Sequence, residues 1–224
     1  MQYRHAKDFK NRLRFRLEST PSVKMRDAIE RTDDNSLPQT LLDICTHHLQ
    51  ETRRYLRDDQ LQRAVNILSE ANTVYVYSPG PCAGLAEFMR YRMARFGLNL
   101  KIMAPSGHEL LESLLHAGGK DAVLIFGFVH LLPETEVILD YAREAGYPVI
   151  LITDRLVYPR AQEAEVVLYA GRGEVWEFHS MAGPTYIIEN LILGVGLSRK
   201  EDSLGNLDKL QRLRVQYGSK LPRN

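Results

Sequence analysis

Between Thr73 and Ala170 the chain alternates short apolar runs with longer stretches of helical periodicity. TVYVYS (73–78) is β-branched and aromatic and ends on Pro79-Gly80-Pro81, so it predicts a strand followed by a tight connection. Over 82–96, Leu85, Phe88, Met89, Tyr91, Met93 and Phe96 recur at helical spacing, and Gly97 stops the pattern. LKIMA (100–104) predicts a second strand, and His108–Ala117 a short helix stopped by Gly118-Gly119. AVLIFGF (122–128) is apolar without interruption, as a strand covered on both faces must be. Pro133–Ala145 predicts a helix opened by proline and closed by Gly146. PVILITD (148–154) and EVVLYA (165–170) complete five strands. Such alternation predicts an α/β fold: a five-stranded parallel sheet in a three-layer αβα sandwich, with right-handed crossovers and flanking helices.

The flanks carry helical patterns. Residues 39–57 and 58–71 predict two helices, the second with Leu61, Ala64, Val65, Ile67 and Leu68 on one side. A long helical region is expected over Trp176–Leu197, kinked or interrupted at Gly183-Pro184, and a last helix over Leu207–Tyr217. The polar, turn-rich Glu30–Pro38 reads as a linker.

Composition narrows the class. The 224 residues are 44% hydrophobic and 25% charged, ordinary for a chain that buries a core. A net charge of +1 gives no overall pull toward nucleic acid or membrane. The basic run of Arg4, Lys7, Lys10, Arg12, Arg14, Arg16 and Lys24 reads as the solvated face of a helix, with interleaved apolar residues to pack. Two cysteines, Cys45 and Cys82, make no disulfide framework; no apolar stretch is long enough for a bilayer span, and the basic, polar N-terminus lacks the apolar core of a signal peptide. A cytoplasmic location is expected.

In an open parallel sheet, ligands bind beyond the carboxyl ends of the strands, where the order reverses. With the order 2-1-3-4-5, that crevice lies between strands one and three, lined by Ser78–Gly84 and Phe126–Thr135. Each loop runs into a helix N-terminus, whose N–H groups and dipole favour an anion.

The order of these elements resembles a known family. The SPGPCAG helix start, the PSGHELLES helix, the PETEVILDYAREAG–PVILITD unit and the PRAQEAEVVLY segment are similar to a sugar isomerase (SIS) domain. In particular, residues 55–217 resemble the effector domain of MurR/RpiR-type bacterial transcription regulators. Residues 3–30 are similar to the tail of their helix-turn-helix domain and linker, with most of that DNA-binding domain expected to be missing. The resemblance implies a tail and linker over 1–38, an effector-binding domain over 39–224, and a homodimer or higher assembly. It also implies a small-metabolite effector, with DNA contacted only through a helix-turn-helix domain. Members that bind phosphosugars carry S-x-S-G-x-T after the third strand. Here His130-Leu131-Leu132-Pro133-Glu134-Thr135 stands there, with Thr135 its only hydroxyl. Pro79 and Pro81 also lack N–H groups. A desolvated phosphate needs several charge-assisted hydrogen bonds, so a sugar phosphate or a less anionic relative is expected.

The expected ligand contacts are Ser78, Gly80, Cys82, Phe128, His130, Glu134, Thr135 and Asp154, with no catalytic residue, cofactor or metal. Each has a plainer reading. Ser78 and Gly80 make a turn, and Cys82 reads more readily as a buried filler than as a reactive thiol. Glu134 and Thr135 stabilise a first helical turn, Asp154 caps one, and His130 is a solvated loop histidine. His108, His179, Ser180 and Glu189 read as surface or packing residues. Cys45, His47 and His48 lack a second ligand pair at metal spacing. The reading is therefore an effector-sensing, non-catalytic module. The alternative is an aldose–ketose sugar-phosphate isomerase using His130, Glu134 or His179 as acid and base. A purely structural oligomerisation domain is a third possibility.

Overall fold

The structure, a computed structural model, describes residues 20–32, 36–128, 132–157, 159–174 and 177–221. In chain order its elements are α1 (Pro21–Arg31), α2 (Leu37–Tyr55), α3 (Asp58–Glu70), β1 (Val74–Tyr77), α4 (Cys82–Ala94), β2 (Leu100–Ile102) and α5 (His108–Leu114). They continue with β3 (Ala122–Phe126), α6 (Pro133–Ala145), β4 (Val149–Thr153), β5 (Val166–Tyr169), α7 (Ala182–Ser198) and α8 (Lys200–Tyr217). The chain divides into two compact units. One holds the residues up to Tyr55 together with Ala170–Pro184, and the other holds Leu56–Tyr169 and the chain from Thr185 onward.

The second unit contains the sheet, ordered β2-β1-β3-β4-β5, with every neighbouring pair parallel. In β1, β3 and β4 every residue is buried, which is why their sequences show no polar alternation. Tyr75, Tyr77, Val123, Ile125, Val149 and Leu151 point to one face and form a core with Leu110 and Leu114 of α5 and Ile138 and Leu139 of α6. On the other face Val74, Val76, Leu124, Phe126, Ile150 and Ile152 are equally buried. There α3 packs against β5 and α4 against β2. Fully burying side chains of this size is worth about 1.5–3 kcal/mol each, so the two faces supply most of the drive to fold. The N-terminal edge of the sheet is closed by Asp121, whose carboxylate accepts from the N–H groups of Thr73 (3.1 Å) and Gly118 (3.0 Å). The opposite edge is left to the loops that follow β1, β3 and β4.

Strand order and helix order follow the sequence pattern, but the C-terminal helices do not begin where periodicity placed them. The helix expected from Trp176 starts at Ala182. Gly183 and Pro184 therefore lie in its first turn, where a missing N–H costs nothing, and they neither kink nor interrupt it. The last helix starts at Lys200 rather than Leu207, separated from α7 at Arg199, whose φ of −111° and ψ of 43° leave the helical region. The expected linker Glu30–Pro38 is shortened at both ends, since Glu30 and Arg31 close α1 and Leu37 and Pro38 open α2, and residues 33–35 lie outside the described residues.

The first unit, taken by itself, comprises α1, α2, the β5–α7 connection and the first residues of α7. Thr20 caps α1, its Oγ1 accepting from the Val23 N–H at 3.4 Å, with Pro21 in the position where proline is tolerated. Thr52 of α2 accepts from the Gly171 N–H at 2.9 Å and donates to the His48 carbonyl at 2.7 Å. A Cβ on Gly183 would lie 2.2 Å from the Gly171 carbonyl oxygen and 2.7 Å from Thr52 Oγ1. The start of α7 therefore sits where only glycine fits.

Candidate functional site

The sequence-expected contacts that the structure describes fall on one edge of the sheet, just past the C-terminal ends of β1, β3 and β4. β1 and β3 are neighbours, in register from Val74↔Ala122 to Tyr77↔Ile125, so the loops leaving them start side by side. Here the order reverses between β1 and β3, since β2 lies on one side of β1 and β3 on the other.

Ser78 directly follows β1 and is buried. Gly80 is exposed with φ 63°, a conformation the turn needs and a side chain resists. Cys82 is the first residue of α4 and is 3% exposed, as a packed filler would be. The N–H inventory of this turn is short: Pro79 and Pro81 have none, and the Ala83 N–H is taken by the Gly80 carbonyl at 3.2 Å.

On the second loop, Phe128 is half-buried with its ring 6.1 Å from that of Phe126. His130 lies outside the described residues. Leu132 precedes α6 in extended conformation, and Pro133 opens the helix. The Leu132 carbonyl accepts from the N–H groups of Thr135 at 2.9 Å and Glu136 at 3.3 Å. Glu134 is half-buried, whereas Thr135 is 1% exposed and faces the core side of its helix. Glu134 and Glu136 place two carboxylates in the first turn of α6. They favour the helix dipole and oppose an incoming anion. Asp154 follows β4 half-buried; the local turn is made by its neighbour Thr153, whose Oγ1 accepts from the Arg155 N–H at 3.3 Å. Beyond it, Leu156 and Val157 are exposed, and the exit of the loop is fixed at Arg160 (φ 60°). The Arg160 guanidinium bonds Glu163 and Asp140, holding both carboxyls below the usual carboxylate range. Among the described residues the chemistry on this edge is thus hydroxyl, aromatic and carboxylate, and Pro79, Pro81 and Pro133 bring no N–H.

Other residues singled out in the sequence lie elsewhere. His108 and Glu189 are exposed on α5 and α7. His179 and Ser180 belong to the first unit, in the β5–α7 connection. Arg172, only 4% exposed, donates from Nη2 to His179 Nδ1 at 3.3 Å. A guanidinium has no acceptor, so Nδ1 is the lone-pair nitrogen and Nε2–H faces the Glu174 carbonyl at 3.2 Å. Lys24 Nζ stands 3.5 Å from the same Nε2. Cys45 Sγ is 3.7 Å from Ser180 Oγ, which also accepts from the Ala182 N–H at 3.2 Å. No sequence pattern marks Arg172; the signal for this cluster is the i, i+3, i+7 spacing of Cys45, His48 and Thr52 on one helix face. Among the described residues, no three His, Cys, Asp or Glu side chains gather as a metal ion requires. No helix among them is long and apolar enough to cross a membrane.

Comparison with known proteins places this architecture. No family model matches the chain. It is 25% identical over 196 residues to the bifunctional protein glk of Paraburkholderia xenovorans, covering 86% of this chain but only 30% of that protein. It is 23% identical over 203 residues to the HTH-type transcriptional regulator YbbH of Bacillus subtilis, covering 85% of this chain and 70% of the regulator. The sugar isomerase domain of an RpiR transcription factor from Sphaerobacter thermophilus superposes with a TM-score of 0.73 at 24% identity, over 80% of this chain and 99% of that domain. The Vibrio vulnificus NanR protein complexed with ManNAc-6P gives a TM-score of 0.67 at 16% identity, over 86% and 72%. The fold is that of a sugar isomerase domain.

Proposed function

We propose that this chain is the effector-sensing module of a MurR/RpiR-type transcription regulator, binding a small sugar-derived metabolite at the C-terminal edge of β1 and β3. In this reading the residues up to about 38 are the tail of a helix-turn-helix domain and its linker. DNA is contacted through that domain, and binding shifts the population of a homodimer between two arrangements. The observation that carries the proposal is the pair of adjacent loops at the switch point of a sheet shared with RpiR-type domains. No catalytic step is needed for a sensor.

The effector is a sugar phosphate or a less anionic relative, held by hydroxyl and ring contacts more than by its phosphate. Support comes from the prolines at 79, 81 and 133, the Ala83 and Thr135 N–H groups turned inward, and the Glu134 and Glu136 carboxylates. The ligand contacts in this proposal are Ser78, Gly80, Cys82, Phe128, His130, Glu134, Thr135 and Asp154. Calorimetry with ManNAc-6P and with the phosphate-free sugar tests it. Removal of the phosphate is expected to weaken binding by less than about tenfold, whereas a desolvated, fully paired phosphate is worth several charge-assisted hydrogen bonds. A loss of a thousandfold or more would return the site to ordinary phosphosugar recognition.

The second reading, an aldose–ketose isomerase, is favoured by the half-buried carboxylates Glu134 and Asp154 on the same edge. Turnover of a phosphosugar that disappears in His130→Ala would establish it. Against it, both ring nitrogens of His179 are engaged inside the first unit.

A further inference from the structure

Within the first unit, one face of α2 grips the β5–α7 connection at three points. Cys45 Sγ meets Ser180 Oγ at 3.7 Å, and Thr52 Oγ1 takes the Gly171 N–H at 2.9 Å. Between them lies His48, beneath Gly173. A Cβ on Gly173 would stand 3.2 Å from His48 Nε2 and 2.9 Å from Glu177 Oε2, so ring and carboxylate converge on the space that only this glycine leaves. His48 is 3% exposed, and its Nδ1 has no hydrogen-bond partner among the described residues.

A neutral imidazole tolerates this site, because an orphaned lone pair is a modest loss. An imidazolium does not: it brings a second N–H donor to Nδ1, where none of the described residues accepts, and a charge that burial penalises. The charged and titratable groups that face the ring are His47 and Glu51 on its own helix and Glu177 from the connection. Glu177 pulls toward protonation, but its Oε2 already accepts the Glu174 N–H at 2.8 Å and closes that turn. His47 opposes, with its ring centroid 5.9 Å away. Burial outweighs the carboxylates and holds the ring's protonation below its ordinary 6.5.

We propose that His48 is a proton-sensitive clasp: neutral, it lets α2 hold the β5–α7 connection, and protonated, it releases Gly171–Glu174 and Glu177–Met181 and loosens the start of α7. The sign is fixed by linkage. A histidine held below its unfolded value contributes stability that is complete above pH 6.5 and lost as pH falls toward the folded value.

The test is amide hydrogen exchange on the full chain at pH 7.5 and 5.5, corrected for intrinsic rates. The Gly171 and Ser180 amides report on the clasp, and the Gly127 amide, bonded to Ile152, serves as an internal sheet control. At the lower pH, Gly171 and Ser180 are expected to lose protection by roughly tenfold relative to Gly127, and His48→Phe is expected to abolish that loss. Equal loss in His48→Phe, or no loss in the unaltered chain, overturns the proposal. If His48→Phe does not fold, the His48 ring resonance followed by NMR decides. A midpoint below 6.5 that coincides with the loss of Gly171 protection supports the clasp, and a midpoint at or above 6.5 overturns it.

Discussion

The smallest features with consequences are single backbone and side-chain choices. Gly80 holds φ 63° with no atom within 4 Å of a built Cβ, so the cost of a side chain is conformational rather than steric. Gly80→Ala is expected to destabilise by about 1–2 kcal/mol, the usual cost of the left-handed region, seen as a lower denaturant midpoint with unchanged slope. Tyr147 shows the opposite case, a polar atom that must be satisfied. Its hydroxyl donates to the Ile138 carbonyl at 2.8 Å, and burial raises the phenol above its ordinary 10.0. Tyr147→Phe should cost about 1 kcal/mol. Linkage adds a pH window: a raised phenol contributes stability that is complete below pH 10.0 and lost as pH rises beyond it. Urea titrations between pH 8 and 11 should therefore show the native chain weakening at the alkaline end and Tyr147→Phe weakening less. Both residues announced only part of this. Gly80 was legible from Pro-Gly-Pro, but no local pattern says that Tyr147 turns inward to a helix carbonyl.

At the scale of elements, two glycines in helices differ by what surrounds them. Gly183 lies where a Cβ would meet the Gly171 carbonyl oxygen at 2.2 Å and Thr52 Oγ1 at 2.7 Å, and the Gly171 N–H donates to that same Oγ1. Gly205 of α8 is exposed with nothing within 4 Å. Thermal unfolding should thus show opposite signs. Gly183→Ala is expected to destabilise by about 1–3 kcal/mol through overpacking, and Gly205→Ala to stabilise by about 0.5–1 kcal/mol through helix propensity. The same neighbours explain why α7 starts six residues later than Trp176 in the sequence reading. Helical periodicity continues through 176–181, but the Ser180 N–H bonds the Arg172 carbonyl and the Ser180 hydroxyl takes the Ala182 N–H, so these contacts override propensity. The positions of β1, β3 and β4 needed no such correction, since continuous burial makes an apolar run unambiguous when a turn signal closes it.

For the whole molecule, the exposed apolar residues bear on assembly. Leu193 and Leu197 of α7 and Leu204 of α8 are more than half exposed at 65%, 66% and 52%. In the proposed homodimer such residues are covered, as apolar surface on this scale marks an interaction site. Light scattering is expected to give a dimer mass at micromolar concentration, and the Leu193→Glu/Leu197→Glu double variant to shift it toward the monomer with the melting profile of the sheet retained. A monomer in the unaltered chain removes the dimer from the proposed function and leaves ligand sensing to be judged by calorimetry alone.

By itself the sequence determined the five strands and the helices that alternate with them. Those features rest on hydrophobic periodicity and turn chemistry, which act between near neighbours and are written locally. It also determined that Pro79, Pro81 and Pro133 bring no N–H to the loops after β1 and β3, because proline lacks one wherever it folds. Only the tertiary structure decided that Thr135 is buried while Glu134 is half-exposed, that α7 begins at Ala182, and that His48 sits unsatisfied beneath Gly173. These depend on partners more than a hundred residues apart in the chain or on which side of a helix meets the core. Such long-range placement is set by the sum of packing over the molecule and leaves no mark at any one position.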